Sequence, residues 1–132
     1  QMKHNASPAD AASHVLRDNL HLLQRAGVTL VIGSDHAETS LAEVLHLRTL
    51  HLFDDRTLLK MWYEATPAAI FTDRRIGKFA EGYEASFLAL AGNPLEDFDH
   101  VWAIRKRVKQ GVLLDGALIP DAAWSAASQR AH

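Results

Sequence analysis

Cysteine is absent from the 132 residues. That removes disulfides, thiolate zinc sites and a cysteine nucleophile together. Any metal would need His and carboxylate ligands, which suit zinc, iron, nickel or manganese. Excess charge is also missing. Lys and Arg number 14 against 16 Asp and Glu, a formal net charge of −2. No basic surplus is available to hold a nucleic-acid backbone, and no acidic tail is present. The apolar runs, such as Val28 to Ile32 with Thr29 inside it, are far too short to span a bilayer. Neither the G-x-G-x-x-G nor the P-loop pattern occurs, so a glycine-rich nucleotide cradle is not expected. These absences exclude nucleic acid and membrane as expected partners. The chain opens on Gln1 rather than Met. A missing signal peptide therefore says little, and a cytoplasmic location is the favoured expectation.

What is present is ordinary globular material: 48% hydrophobic and 23% charged residues, enough for one domain or two small ones with a real core. Eight His are the one oddity. Ser7-Pro8-Ala9-Asp10 places a cap, a first-turn Pro and an acid where a helix starts, and Ala12, Leu16, Leu20 and Leu23 recur at helical spacing. Gly27 supplies the left-handed stop. Val28 to Ile32 is apolar without alternation, as a central parallel strand would be. Ser40-Leu41-Ala42-Glu43 reads as a capping box opening a second helix with Leu41, Val44, Leu45 and Leu52 inward. Asp54 or Asp55 caps a third helix carrying Leu58, Leu59, Met61 and Trp62, and Thr66-Pro67 caps a short fourth. After Asp73 the pattern becomes short strand-like runs: Tyr83 to Leu90, Val101 to Lys109, and Val112 to Leu114. Gln110-Gly111 stands at a tight hairpin turn. Pro120 opens a final Ala-rich helix.

Few residues invite chemistry. Asp35 is an acid at the carboxyl end of the apolar run, where α/β folds place their active sites. By position alone, capping of the following turn is the slightly stronger reading. His36 can be a ligand or proton shuttle, yet adjacent residues on an extended segment point opposite ways, so a loop His bonded to backbone or water is favoured. Glu43 and His46 share a helix face, but His51 follows His46 by five and forms no zinc helix, so a solvated face is the better account. Trp62, Trp102, Trp124, Tyr63 and Tyr83 fit core or interface roles better than a base-stacking platform.

Several stretches, in order, resemble one family. Gly27-Val28-Thr29-Leu30-Val31-Ile32-Gly33-Ser34-Asp35 resembles the eighth strand of the amidohydrolase superfamily. Ala65-Thr66-Pro67-Ala68-Ala69 resembles the T-x-N/T-P-A helix that follows it. Arg75 to Leu90, Asn93-Pro94-Leu95-Glu96-Asp97 and Val108-Lys109-Gln110-Gly111 resemble later segments, so the likeness spans about residues 15 to 116. It is greatest to imidazolonepropionase-like members. The family's usual A-D pair is Ala85-Ser86 here, and the usual Pro before Gly82 is Glu81.

The resemblance implies an α/β fold: the C-terminal piece of a (β/α)8 barrel over residues 1–73, part of a composite β-sandwich over 74–119, and a helical tail over 120–132. A whole barrel needs roughly 250 residues. The implied activity is metal-dependent hydrolysis of a C–N bond, of the cyclic amide or imide class or peptide-like, on a small-molecule substrate. A divalent metal, zinc ahead of iron, nickel or manganese, would activate water. Asp35 would bind that metal and act as general base and then acid, and His36 would line the substrate pocket. The His ligands of the family's other strands have no counterpart here, so the chain alone is expected to be inactive, with apolar surface uncovered around Val28 to Ile32. The rival reading is a non-catalytic α+β binding or oligomerisation module. Homo-oligomerisation is an expectation under either.

Overall fold

Pro8 is the first residue of helix α1, Pro8–Arg25, in a computed structural model that describes residues 8–34 and 39–114; the expected cap, Ser7, lies outside them. Its end is a Schellman turn. Gly27 lies at φ +74, its N–H donates to Gln24 O, and the Val28 N–H reaches back to Leu23 O at 3.0 Å. Glycine takes that left-handed position without steric cost. The expected apolar stripe is real as a pattern but not as a core. Leu16 and Leu23 stay exposed, as do Val15 at 60% and Leu22 at 64%.

The segment Val28 to Ile32 is a correction to the sequence reading. It forms no strand, and among the described residues the only sheet lies within 87–113. A strand is defined by its ladder. This segment has no strand beside it, and the Ile32 N–H goes instead to a threonine hydroxyl. Val28 and Val31 are exposed, as expected, whereas Ile32 is buried.

Helix α2 covers Ser40–Thr49, and its cap is Thr39, not the Ser40 box: the Thr39 hydroxyl accepts from the Ala42 N–H at 3.4 Å. Leu41, Val44, Leu47 and Leu50 are buried. Leu45 and Leu52, expected inward, are only half-buried. His51 follows in the left-handed region at φ 52. Asp54 caps α3, Asp55–Lys60, by accepting from the Thr57 N–H at 2.6 Å. Arg48 grips Asp55 with two nitrogens, at 2.8 and 3.2 Å, which ties α2 to the start of α3.

Helix α3 does not stop. It widens into a π turn, Met61–Ala65, and continues as α4, Thr66–Ile70. Thr66 is therefore interior to one continuous helix rather than its cap. Pro67 explains the widening. It has no N–H, and its ring crowds the carbonyl four residues back, that of Tyr63. Such a site commonly carries a π-bulge. The spare Tyr63 carbonyl is met by Gly77 at φ +94, where an added Cβ would fall into that oxygen and within 3.1 Å of its carbon.

The described residues divide into two compact units between Lys78 and Phe79. The second holds an antiparallel sheet in the order β1-β2-β3, with β1 Phe87–Leu90, β2 Ile104–Lys109 and β3 Val112–Leu113. The expected run from Tyr83 is strand only from Phe87. The run from Val101 begins as a 3-10 turn, Phe98–Trp102, because Asp97 caps it by accepting from the Asp99 N–H. Phe98 and Val101 of that turn are the buried residues of this unit. Gln110 and Gly111 both have positive φ, 51 and 77, the signature of a two-residue I′ hairpin turn. The Ala-rich segment after Pro120 lies outside the described residues.

Gly77→Ala is expected to lower stability by about 2–4 kcal/mol, because a positive φ and a backbone clash act together; chemical denaturation measures this. Gln110→Asn is expected to raise stability by about 0.5 kcal/mol by suiting the first turn position, read as a higher thermal midpoint.

Candidate functional site

Asp35 and His36, the residues singled out for chemistry, lie outside the described residues. What is described are bonds at residues before and after them in sequence. On the N-terminal side, the Ile32 N–H donates to Thr66 Oγ1 at 2.8 Å. The same hydroxyl donates to Met61 O at 2.7 Å, and the Thr66 N–H also reaches Met61 O across the π turn. Thr66 is thus fully used: its oxygen accepts from one segment and its proton fixes its own rotamer. On the C-terminal side, Trp62 Nε1 donates to Ser40 Oγ at 3.1 Å. Ser40 is the first residue of α2. Its hydroxyl does not cap the helix; it anchors an indole.

Trp62 and Thr66 stand four apart on a continuous helix, and residues at that spacing share a face. The buried side chains of Leu58 and Met61 hold this helix in place. Trp62 also stacks on Tyr63, with ring centroids 4.8 Å apart and planes 25° from parallel. Burial pushes the Tyr63 phenol above its ordinary 10.0. Around the turn, Glu64 pairs with Lys78 at 3.7 Å, and Arg74 lies over the Phe71 ring at 5.0 Å from its centroid. At the cap of α3, the Asp54 carboxyl is held below its ordinary value by its side-chain and backbone hydrogen bonds with Thr57.

The other candidates remain separate. Glu43 is half-buried and His46 exposed on α2. Among the described residues no group of three or more His, Asp or Glu could hold a metal. No helix among them is long and apolar enough to cross a membrane. Thr66 and Trp62 are the residues whose role the sequence reading missed. The signal for Thr66 was available: a threonine directly before a mid-helix proline has a hydroxyl able to bond back to the preceding turn.

Neither a protein-family model nor a curated protein matches the sequence. Solved structures do match the fold. The crystal structure of an uncharacterized protein superposes with a TM-score of 0.62 at 24% identity, over 74% of this chain and 26% of the other. The crystal structure of a prolidase complexed with N-methylphosphonate-L-proline gives 0.61 at 23% identity, over the same shares. The fold is thus similar to part of a prolidase, and the chain spans about a quarter of the length of those proteins.

The Tyr63 shift has a pH consequence. A phenol whose folded pKa is raised adds stability that is complete below the unfolded value of 10.0 and is lost as pH climbs through the folded value. Wild-type stability is therefore expected to fall above that pH more steeply than that of Tyr63→Phe, as measured by denaturant midpoints across an alkaline series.

Proposed function

We propose that the chain is the C-terminal part of a metal-dependent amidohydrolase that hydrolyses a C–N bond in a small-molecule substrate. The observation that carries this reading is the hydrogen bond from the Ile32 N–H to Thr66 Oγ1 at 2.8 Å. It joins the Gly27 to Asp35 stretch to the Ala65 to Ala69 stretch, the two that resemble the family's eighth strand and the helix after it. The prolidase-like fold supports the same class, at its peptide-like end.

Within this reading Asp35 is the functional carboxylate. An ionised Asp can bind a cation, accept a proton from attacking water and return it to the leaving nitrogen, so one group serves as base and then acid. His36, its neighbour, lines the substrate side. In this reading the remaining ligands belong to the rest of the parent protein. A divalent ion, zinc ahead of iron, nickel or manganese, supplies Lewis acidity when bound there. The residues 1–73 belong to the barrel and 74–119 to the sandwich, with a tail over 120–132. The exposed apolar side chains of α1 and of Val28 and Val31 fit surfaces that the rest of a longer chain covers.

The test has two arms. The 132-residue chain alone is expected to show no hydrolysis of cyclic amides, imides or Xaa-Pro dipeptides with or without zinc, and measurable turnover would contradict the fragment assignment. In the longer protein, Asp35→Asn is expected to lower kcat by about 10²–10⁴-fold. Retention of wild-type kcat would remove Asp35 from the chemistry.

A further inference from the structure

Strand β2 carries Arg105, Lys106, Arg107 and Lys109, while its neighbours β1 and β3 carry no charge. The register sorts these side chains by face, because directly opposed residues of an antiparallel pair point the same way. Phe87, Val108 and Leu113 stand in one row across the three strands, and the Phe79 ring meets the Phe87 ring edge-on at 5.5 Å. That face is mainly apolar, with Lys106 opposite Ala89 towards one end. On the other face Leu88 opposes Arg107 and Val112 opposes Lys109, and Leu114 gives its N–H to Arg107 O at 2.9 Å. The second face is thus a line of cations on the central strand with an aliphatic margin on each side. That margin is open: Leu88 is 39% exposed, Val112 62% and Leu114 50%. We propose that this face docks an acidic amphipathic helix of a protein partner.

Neither Arg107 nor Lys109 has an ion-pair partner among the described residues. Glu84, shortly before β1, accepts from the Ser86 hydroxyl. Covering the aliphatic side chains is favourable, but whatever covers them also dries the cations between them, and a buried cation without a partner is costly. The occupant must therefore bring carboxylates to the middle of its own contact face. A helix does so at a matching interval. Arg107 and Lys109 are two strand residues apart, about 6.6–6.8 Å, and acids four apart on a helix are separated by about 6 Å along its axis. Apolar residues on either side of that acidic row then meet Leu88 on one flank and Val112 and Leu114 on the other. A bilayer takes apolar groups deepest and leaves cations at their rim, the reverse of this order. The bases of single-stranded nucleic acid stack on aromatic rings, and the side chains beside Arg107 and Lys109 are aliphatic. A second sheet laid over the Phe87 face, as the sandwich reading requires, would leave Arg107 and Lys109 turned outward.

The experiment uses the whole 132-residue chain labelled for NMR. The probe is a roughly 20-residue peptide, long enough to hold a helix, with Glu at every fourth position along one face and Leu on both sides of that row. It is expected to shift the amides of Leu88, of Ile104 to Lys109 and of Val112 to Leu114, and to bind more weakly as salt is raised. The same peptide with Lys in place of Glu is expected not to bind. Arg107→Gln/Lys109→Gln, shown folded by its amide spectrum, is expected to weaken binding about 3- to 10-fold, and Val112→Thr about 2- to 5-fold. Arg56→Gln/Lys60→Gln, which removes two exposed cations of α3, is expected to leave binding unchanged. Vesicles of phosphatidylcholine with phosphatidylserine and a single-stranded oligonucleotide are titrated alongside. Absence of binding by the Glu peptide, equal binding by the Lys peptide, or full affinity in Arg107→Gln/Lys109→Gln would overturn the docking face. So would tighter binding of the vesicles or of the oligonucleotide than of the Glu peptide. Hydrolysis enters none of these readouts, so failure of the catalytic assignment and failure of the docking face are told apart.

Discussion

Pro67 has no amide hydrogen to give, and the carbonyl that would receive it in a regular helix belongs to Tyr63. The helix from Asp55 to Ile70 accommodates this by widening rather than by breaking, and the widened turn sets the surroundings. Met61 O becomes the acceptor for both the amide and the hydroxyl of Thr66. The Tyr63 carbonyl is left open to the close approach of Gly77, a contact available only to a residue without a side chain. Trp62, one position into the turn, reaches Ser40. A single imino acid thus accounts for the π turn, the glycine that follows it and the outward-facing hydroxyl.

Energetically the first unit is small and unevenly built. Its buried side chains come from α2, α3, the π turn and isolated positions such as Ile32 and Phe53. Helix α1 ends in a Schellman turn at Gly27, yet none of its described side chains is buried. Local and tertiary signals are therefore separable here. Capping and stop residues decide where the helix begins and ends, and they act whether or not anything packs against its stripe.

That separation explains what the sequence made legible. Pro8, Gly27, Asp54 and Gln110-Gly111 act over three or four residues, and each does in the structure what its local chemistry implies. Val28 to Ile32 reads as strand because its composition is right, but a ladder needs a second chain segment, and no spacing rule supplies one. Ser40 and Thr39 are both competent caps, and the choice fell to Thr39 because the Ser40 hydroxyl is claimed by Trp62, a partner 22 residues away. Thr66 looked like a helix start for the same reason: Thr-Pro is a start signal unless the preceding residues are already helical. Of the candidate site, Asp35 and His36 stand outside the described residues, while Trp62 and Thr66, which bond Ser40 and Ile32, were legible only as core and cap.

The sheet of the second unit has a bearing of its own. Its central strand joins β3 through a turn of two residues, so that hairpin can close within about 1–10 μs. β1 pairs with the same strand across a stretch that includes the 3-10 turn, where Phe98 and Val101 are buried. The β2–β3 contacts are close in sequence and need little searching through chain space, whereas β1 meets β2 only after the whole loop between Leu90 and Ile104 has closed. The Gln110-Gly111 hairpin is thus the part of this sheet that can order by itself, and it offers β1 a ready-made edge to pair with.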